Sequence, residues 1–311
     1  MTYIIDLQRL WEGNEEGTAS SAFARAQNGA HQNVVSVIVV AEPNEAMVMQ
    51  TLSSVLAQKF VREVIIVNCE ALPSLEKALT KFTHRHPTCY LVKGHKRAGL
   101  AAAYNLGAQH ASGQFLLFIK GNCLLAKNAV ASLLSTGIPK PAPWVIGAAE
   151  KKKRINFKPL AHLNLFSNAF ETQTLPEVSL PGGGFHAAQI APDCLFMSTQ
   201  TFLELKGLDK KCFHSTFHMD LCLRVHFAGG GVYRARDFDV VACTGAGHSL
   251  RESIRSEWQA FCGRYHFYQK YVSSRKNKII VLIGYTALLV GFLGRMCMRL
   301  LSNFNNKNKV G

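Results

Sequence analysis

Four short apolar runs alternate with segments of helical length between residues 34 and 121, and this alternation restricts the fold more than any other feature. The apolar runs have the length and composition of strands buried on both faces, and they lie at 34–41, 61–69, 89–94 and 114–121. Helical patterns fill the intervals at 44–58, 72–86 and 98–113, the first with Asn44 as a candidate N-cap. Strands joined by helices run parallel, so the pattern predicts an α/β fold with a mostly parallel sheet flanked by helices.

The last of these predicted strands ends in a polar trio. Open sheets of this kind bind ligands beyond the carboxyl ends of their strands, so residues at this position usually take part in chemistry. The trio consists of Lys120, Gly121 and Asn122. It contains no carboxylate that could hold a metal ion or a proton.

Charge and cysteine usage restrict the partners and the compartment. Lys and Arg number 35 against 20 Asp and Glu, and the resulting net charge of +15 favours phosphorylated ligands, acidic membrane surfaces or nucleic acid. No nucleic-acid-binding motif accompanies the charge, so no nucleic-acid partner is expected. The nine cysteines include no C-x-x-C pair, which favours reduced thiols in the cytosol over a disulfide framework.

The C-terminal part of the chain carries a candidate membrane segment. Residues 279–294 contain no charge, and the apolar stretch continues to 301 if Arg295 and Arg299 extend towards lipid head groups. We therefore predict a transmembrane or interfacial helix at 279–301. A C-terminal helix belonging to the core of the domain is the alternative.

The segments around this helix are predicted from their composition. Residues 251–278 mix aromatic and basic side chains at helical spacing, which indicates an amphipathic helix with one face on the domain and basic residues at phosphate head groups. Residues 1–32 are predicted to form a flexible leader, and 302–311 a polar tail.

Two long segments resemble the glycosyltransferases of family 2. The chain from "TLSSVLAQ" through "VIIVN" to "AGLAAAYNLGAQHASGQFLLFIKGN" is similar to the nucleotide-sugar-binding half of that family, which has the GT-A fold. Residues 193–241 resemble its acceptor-side half, especially in the rhamnosyltransferase-like branch, because Gly207, Asp209, Asp220 and Arg224 have the family's spacing. The resemblance covers about residues 34–270. It implies a GT-A domain, a nucleotide-diphospho-sugar transferase, at 33–250.

The resemblance implies an activity and its partners. The chain is expected to transfer a sugar from a nucleotide-sugar donor to a glycan or lipid-linked acceptor, with inversion at the anomeric carbon. Together with the C-terminal helix, it implies a membrane-associated protein whose domain lies on the cytosolic face.

Three departures fall on carboxylate positions that the family uses for chemistry. Asn68 replaces the aspartate that contacts the nucleotide base, and the Lys120 trio replaces the Asp-x-Asp motif that holds a divalent cation. Asn68 can still accept a hydrogen bond, and the Lys120 ammonium could neutralise the diphosphate in place of a metal ion. A Mg²⁺ or Mn²⁺ cofactor is therefore not supported by the motif, and transfer without a metal is expected.

The third departure concerns the catalytic base, because Phe217 and His218 replace the family's Glu-Asp pair. His218 is the candidate general base, since the unperturbed pKa of histidine, about 6.5, lies near the working pH. Asp220 is the rival base, although the family pattern places it at a helix start, where a carboxylate caps exposed N–H groups.

The resemblance also implies the remaining site residues. The donor-binding positions are Glu42, Asn68, Glu70, Arg97, Lys120 and Asn122, and the acceptor-side positions are Gly183, His186, Asp209 and Arg224.

Two alternatives follow from the same residues. The lost carboxylates also fit a catalytically inactive relative that binds a nucleotide, a glycan or a partner enzyme. A zinc site built from Cys212, His214, His218 and Asp220 is the weaker alternative, because the order of these residues matches no standard ligand spacing.

Overall fold

The computed structural model describes residues 34–70, 72–96, 98–136, 143–148, 185–186, 190, 193–212, 216–235, 240–242, 250–273 and 278–307. The predicted leader, Arg97 and Gly183 lie outside these residues, as does His214, and only the backbone of His186 is described.

The four strands and three helices predicted before residue 121 are all present. The strands in chain order are β1 (Val35–Val40), β2 (Val61–Asn68), β3 (Cys89–Lys93), β4 (Phe115–Lys120), β5 (Cys123–Leu125), β6 (Trp144–Ala148), β7 (Phe185–His186), β8 (Cys194–Ser198), β9 (Gly231–Ala235) and β10 (Val240–Ala242). The helices are α1 (Glu45–Leu56), α2 (Pro73–Arg85), α3 (Leu100–Ala108), α4 (Ala129–Leu134), α5 (Thr199–Glu204), α6 (Thr216–Phe227), α7 (Leu250–Tyr268) and α8 (Lys278–Lys307).

A mixed, mostly parallel sheet forms the centre of the described structure. Its strand order is β3-β2-β1-β4-β8-β6-β9-β7, and β10 pairs with β5 in a separate two-stranded sheet. The pairs β2–β3, β1–β2 and β1–β4 are parallel, as the alternating pattern predicts, whereas β8 runs antiparallel to both β4 and β6. All of β1 and nearly all of β4 are buried, because helices cover both faces of the parallel strands.

Local signals explain where the first helix begins. Asn44 has an extended backbone, and its side-chain oxygen accepts a hydrogen bond from the Met47 amide at 3.2 Å. The predicted N-cap is therefore confirmed. The cap turns the chain into α1 two residues after Glu42, so that Glu42 remains beside the end of β1.

Two long helices pack against each other at the C-terminal end. A π-helical turn, Gln269–Ser273, follows α7 directly, and α8 then returns along α7 in the opposite direction. Aromatic rings of the two helices pack in pairs, with 5.0 Å between the ring centroids of Tyr268 and Tyr285 and 4.8 Å between those of Phe261 and Phe292. We call α7, the π-helical turn and α8 the C-terminal hairpin.

The length and exposure of α8 differ from the sequence predictions. The helix extends to Lys307, so residues predicted as a polar tail are helical as far as that residue. Its outer side chains are exposed, with Ile279 and Val290 each at 67%, which is not the pattern of a core helix. Within the described residues, Val281–Leu300 is one helical stretch long and apolar enough to cross a membrane, with a mean hydropathy of 1.7.

Candidate active site

The carboxyl ends of three parallel strands meet at one edge of the sheet. β1 lies between β2 and β4, and Val40 is level with Val67 on one side and with Lys120 on the other. The chain leaves β1 towards β2 and β3 on one side and reaches β4 on the other, which makes this edge a switch point of the topology. Ligands of open α/β sheets bind at such a point.

The predicted donor-binding residues that are described lie at this switch-point edge, which we define by Glu42, Asn68, Lys120 and Asn122. The Lys120 ammonium lies 3.5 Å from a carboxylate oxygen of Glu42, and about a third of each side chain is exposed. An incoming phosphate would therefore compete with Glu42 for a cation that already lies at the strand ends.

Gly121 allows the close approach of this loop to β1. Its amide donates to the Val40 carbonyl at 2.8 Å, and a Cβ atom at this position would lie 2.6 Å from the same carbonyl oxygen. Because the Val40 oxygen belongs to the backbone, a side chain at position 121 could be accommodated only if the main chain moved. The glycine therefore holds Lys120 and Asn122 against the end of β1.

The asparagine at the end of β2 shapes the loop that follows it. Asn68 is buried, and its side-chain oxygen accepts a hydrogen bond from the Glu70 amide at 3.0 Å. A carbonyl oxygen has a second lone pair, so this bond leaves one acceptor position for a nucleotide base. The Glu70 side chain is exposed at the edge of the site, and the Asn122 oxygen accepts from the Cys123 thiol at 3.6 Å.

A buried tyrosine that sequence reasoning missed joins the two halves of the site. The ring of Tyr104, on α3, packs against two other aromatic rings, with centroid distances of 5.1 Å to Phe118 of β4 and 6.2 Å to Phe217 of α6. Its hydroxyl is buried and has no hydrogen-bond partner within the part of the chain that the structure describes. Burial, and to a smaller extent the nearby Cys123, raises the pKa of Tyr104 well above the usual range. The hydroxyl therefore remains protonated and available as a donor.

His218 lies in an apolar environment rather than in solvent. His218 is 3% exposed, its ring centroid lies 5.9 Å from that of Phe217 in an edge-on contact, and its Nδ1 has no hydrogen-bond partner among the described residues. Burial lowers the pKa of His218 to about 4. The sequence-based expectation of an ordinary histidine pKa is therefore wrong, because it ignores desolvation. The imidazole is neutral at pH 7.

Asp220 is fully buried at the centre of a hydrogen-bond network. One carboxylate oxygen accepts from Arg224 Nε at 2.8 Å, and the other accepts from Lys270 Nζ and the Tyr271 hydroxyl, both at 2.6 Å. α6 begins at Thr216, so Asp220 lies a full turn inside the helix. The expectation that it caps the helix start is therefore wrong, and its carboxylate instead joins α6 to the C-terminal hairpin.

Asp209 belongs to the same network. It accepts from Lys270 Nζ at 2.8 Å, from His266 Nε2 at 3.2 Å and from the Lys211 amide at 3.0 Å. Burial opposes ionisation, but these donors, led by Lys270, lower the pKa of Asp209 well below its usual range. Asp209, Asp220 and Lys270 thus form a compact cluster, which we call the acidic clasp.

The loop before the acidic clasp is held from two sides. Arg224 Nη1 donates to the Gly207 carbonyl at 2.8 Å, and the Asn105 amide donates to the Leu208 carbonyl at 2.7 Å. Gly207 has a φ of +71°, a conformation that favours glycine. Arg224, predicted on the acceptor side, therefore acts within the protein to fix the loop that carries Asp209.

The π-helical turn directs two hairpin side chains into the clasp. A π-helical turn changes the angular spacing of side chains, and such turns are frequent at functional sites. Here Lys270 and Tyr271 lie in the turn, and both side chains point inward to Asp220. Burial opposes the charge of Lys270, but its hydrogen bonds to Asp209 and Asp220 raise its pKa above the usual range. The expectation that the basic residues of this helix contact phosphate head groups is therefore wrong for Lys270.

Among the described residues, Asp209, Cys212 and His266 are the group whose potential metal-ligand atoms lie within 4.8 Å of one another. The predicted zinc set does not coincide with it, since His218 and Asp220 lie outside this group. Burial and the charges of Asp220 and Asp209 raise the pKa of Cys212 to about 12, and the Lys270 ammonium already contacts Asp209. These residues therefore suit an internal ion pair better than a zinc ion.

The described site residues form two groups in the structure. Asp209 and Arg224, predicted on the acceptor side, lie with Asp220 in one hydrogen-bond network, while Glu42, Asn68, Lys120 and Asn122 lie at the switch-point edge. Their roles in binding and catalysis stay predictions. The missed participants are Tyr104, His266, Lys270 and Tyr271. Only the last three lie in a segment whose basic and aromatic composition attracted notice, and nothing local distinguishes Tyr104.

Solved structures with the same architecture define the class of this fold. A mannosyltransferase from Pyrobaculum calidifontis, PcManGT in complex with GDP-Man and Mn²⁺, has a TM-score of 0.54 and 14% identity, over 92% of this chain and 81% of that one. TarS from S. aureus, residues 1–349, has a TM-score of 0.50 and 13% identity, over 86% and 80%. At these identities the likeness shows the fold, which is that of the GT-A glycosyltransferases.

A third structure is similar over part of its length. GalNAc-T7 with UDP, GalNAc and Mn²⁺ has a TM-score of 0.50 and 16% identity, and the alignment covers 72% of this chain but only 47% of that protein. The chain therefore spans about half of GalNAc-T7. No curated protein sequence gives a significant match.

Residues 36–175 match the family described as Glycosyl transferase family 2. This match and the GT-A fold agree with the resemblance of the sequence to family 2 glycosyltransferases. The match includes the switch-point edge and ends before the acidic clasp.

Proposed function

We propose that the chain transfers a sugar from a nucleotide-diphosphate donor to a glycan or lipid-linked saccharide acceptor, with inversion and without a divalent cation. The observation that carries this proposal is the Lys120 ammonium at the carboxyl end of β4, 3.5 Å from Glu42. The family resemblance assigns metal-binding carboxylates to this position, and a lysine there supplies positive charge to a leaving diphosphate without a metal ion.

The proposed reaction is a single in-line displacement. An acceptor hydroxyl attacks the anomeric carbon, and the new C–O bond forms as the bond to the diphosphate breaks. The diphosphate leaves with the bonding electron pair, and Lys120 neutralises it. The hydroxyl proton passes to a general base, for which we propose His218, because its Nδ1 makes no hydrogen bond to any described residue.

Asp220 is a weaker candidate for this base. Its two oxygens accept three hydrogen bonds, two of them from the cations Arg224 and Lys270. Both oxygens are therefore already engaged within the protein, and neither is directed at an acceptor hydroxyl. We therefore propose that Asp220 positions α6, which carries His218.

Calorimetric titration with UDP-, dTDP- and GDP-sugars, in Mn²⁺ and then in EDTA, tests the donor and the metal. We expect one donor class to bind with similar affinity in both conditions. Binding only in Mn²⁺ would contradict the metal-independent mechanism. It would favour a metal-dependent one, since the structures of PcManGT and GalNAc-T7 contain Mn²⁺. Failure of every donor in both conditions would contradict the transferase itself.

Two substitutions separate the proposed roles. Lys120→Ala should weaken donor binding as well as turnover. Lys59→Ala should change neither, because Lys59 is exposed and lies just before the start of β2, at the edge of the sheet opposite to the candidate site. His218→Ala should lower turnover about 10²–10⁴-fold, the usual contribution of positioned proton transfer, with donor affinity nearly unchanged. Full activity of His218→Ala would exclude it as the base.

A catalytically inactive binding protein is the second candidate function. The observation that favours it is the burial of His218, which lowers its pKa to about 4 and leaves it a weak base. Donor binding with no sugar transfer or donor hydrolysis in the parent protein, at any pH tested, would support this candidate.

We also propose that the C-terminal hairpin holds the domain at the cytosolic face of a membrane. The apolar Val281–Leu300 stretch and the net charge of +15 support this placement, as do the free thiols of the eight described cysteines. Detergent-free fractionation of the intact chain, beside one ending at Ser274, tests it. If both remain soluble, α8 does not anchor the protein.

A further inference from the structure

We propose that α8 lies in the plane of the membrane surface, with its outer apolar face in the lipid, and does not cross the bilayer. This inference rests on the proposed membrane association and specifies its geometry. The occupant of the outer face is the surface of a bilayer that contains anionic phospholipid.

The outer face of α8 carries an apolar stripe. Its members lie on one side of the helix, before and after the exposed Thr286, and all are about half exposed or more: Leu282, Ile283, Leu289, Val290 and Leu293. The opposite side, represented by Gly284, Leu288 and Phe292, is buried against α7. The stripe therefore has no partner among the described residues, whereas the other side is fully used.

α7 accompanies α8 along the whole candidate span. The Tyr268 hydroxyl donates to the Val281 carbonyl at 3.4 Å near the beginning, and Glu257 accepts from Arg299 at 2.7 Å near the end. The Tyr285 and Phe292 rings lie between these points, against Tyr265 and Phe261 at 5.0 and 4.8 Å. If α8 crossed the bilayer in this arrangement, α7 would have to cross with it.

α7 is unsuited to lipid. Its Arg264 is level with the middle of the Val281–Leu300 stretch, since Phe261 and Tyr265 on either side contact Phe292 and Tyr285. A crossing hairpin would place this guanidinium near the bilayer centre, where charged groups are strongly disfavoured. The acidic clasp also fastens the end of α7 to the domain through Lys270 and Tyr271. An in-plane orientation keeps α7 above the lipid.

The charge of α8 matches an anionic surface. Residues 278–307 contain no Asp or Glu, and they include the cations Lys278, Arg295, Arg299 and Lys307. Arg295 and Arg299 share the single carboxylate of Glu257 on α7, so a net positive charge remains along the helix. Trp258, 53% exposed, and Tyr265, 42% exposed, extend from α7 beside the same helix. Such aromatic side chains favour the boundary between lipid and water.

Depth measurements with nitroxide labels distinguish the two orientations. Residues 283, 290 and 297 lie two helical turns apart on the same face, so the first and the last are about 21 Å apart along the axis. The labels are placed one at a time on Ile283→Cys, Val290→Cys or the exposed native Cys297, after serine replacement of Cys243 and Cys262 and of Cys297 where it is not the label site. The protein is bound to vesicles of phosphatidylcholine and phosphatidylglycerol, and Lys59→Cys serves as a label outside the lipid.

We expect the three labels on α8 to have similar depths, about 5–10 Å into the boundary of head groups and acyl chains, and the label at 59 to remain in water. A label at 290 near the bilayer centre, with 283 and 297 near opposite surfaces, would overturn the in-plane orientation and leave membrane association intact. No binding to the vesicles, or a soluble dimer that buries the stripe, would overturn both.

Discussion

At the scale of single residues, His218 links a buried environment to acid sensitivity. Its pKa is about 4 in the folded protein because of burial, against about 6.5 for an exposed histidine in the unfolded chain. The unfolded chain therefore binds the extra proton first as the pH falls. The part of the folding stability that depends on neutral His218 is fully present above about pH 6.5 and is lost as the pH falls from about 6.5 to 4.

Because of His218, we expect the free energy of unfolding to fall by about 2 kcal/mol when the pH is lowered from about 7.5 to about 5. Urea unfolding of the parent and of His218→Leu at both pH values measures this loss. The variant should lack that part of the pH dependence, whatever its absolute stability. Identical pH dependence in the two proteins would show that His218 is accessible to solvent.

Lys270 is the residue on which the acidic clasp depends. It donates to both Asp209 and Asp220, and Asp220 has no exposed surface. Lys270→Met should lower the free energy of unfolding by about 1–3 kcal/mol, less than for a fully buried pair because a third of the lysine side chain is exposed.

Lys210→Met is the matched control, because this exposed lysine lies close to Asp209 in sequence and carries the same charge. Chemical denaturation of the two variants should show the loss for Lys270→Met alone. Equal stabilities would mean that Arg224 and Tyr271 satisfy Asp220 without the ammonium.

At the scale of elements, two glycines of α8 offer a test of the hairpin. A Cβ atom on Gly284 would collide with the hydroxyl end of the fully buried Tyr268 ring, whereas one on Gly294 would meet no described atom within 4 Å. Both changes to alanine gain about 1 kcal/mol of intrinsic helix propensity. Gly284→Ala should nevertheless lower the melting temperature, and Gly294→Ala should preserve or raise it.

Circular dichroism melts of the two variants, in the same detergent, give this comparison. A melting temperature for Gly284→Ala equal to that of Gly294→Ala would mean that α7 and α8 are not packed through Tyr268.

Element prediction succeeded where the signal is local and failed where contacts are distant in sequence. The Asn44 cap and the apolar runs of β1 to β4 are decided by neighbouring residues, so their positions were predicted to within two residues. The bond from Lys270 to Asp220 joins residues 50 positions apart, and composition alone directed that lysine towards lipid. The antiparallel insertion of β8 beside β4 likewise has no signature in strand composition.

The candidate site shows the same division. The switch-point edge followed from strand order and from the Lys120 trio, because parallel strands carry their carboxyl ends to one edge. The pKa of His218 did not follow, since desolvation depends on what Phe217 and its neighbours bury. Tyr104 was missed for the related reason that its contacts come from β4 and α6, neither of which adjoins it in sequence.

At the scale of the whole molecule, the proposed membrane attachment would combine the positive net charge with the apolar stripe of α8. Val290→Glu places a carboxylate in the middle of the stripe, where the native side chain is 67% exposed. We expect this variant to lose most of its partition onto vesicles of phosphatidylcholine and phosphatidylglycerol, because the carboxylate would have to enter lipid.

Ser53→Glu, on the exposed side of α1, makes the same change in charge away from the hairpin and should partition almost as the parent does. Flotation of the three proteins with vesicles measures the effect. An equal loss for both variants would mean that total charge, not the stripe, holds the protein to the surface.

The acidic clasp gives any shortening of the chain two separate thresholds. Removal of the chain after residue 273 discards the apolar stripe of α8 but keeps Lys270 and Tyr271 on Asp220. Removal from residue 250 onwards also strips that carboxylate of its ammonium and its phenol, and leaves Arg224 as its one remaining donor among those described above. A shortened soluble protein is thus to be sought with its last residue after the π-helical turn, since an earlier end would leave the buried Asp220 carboxylate with Arg224 alone among these three donors.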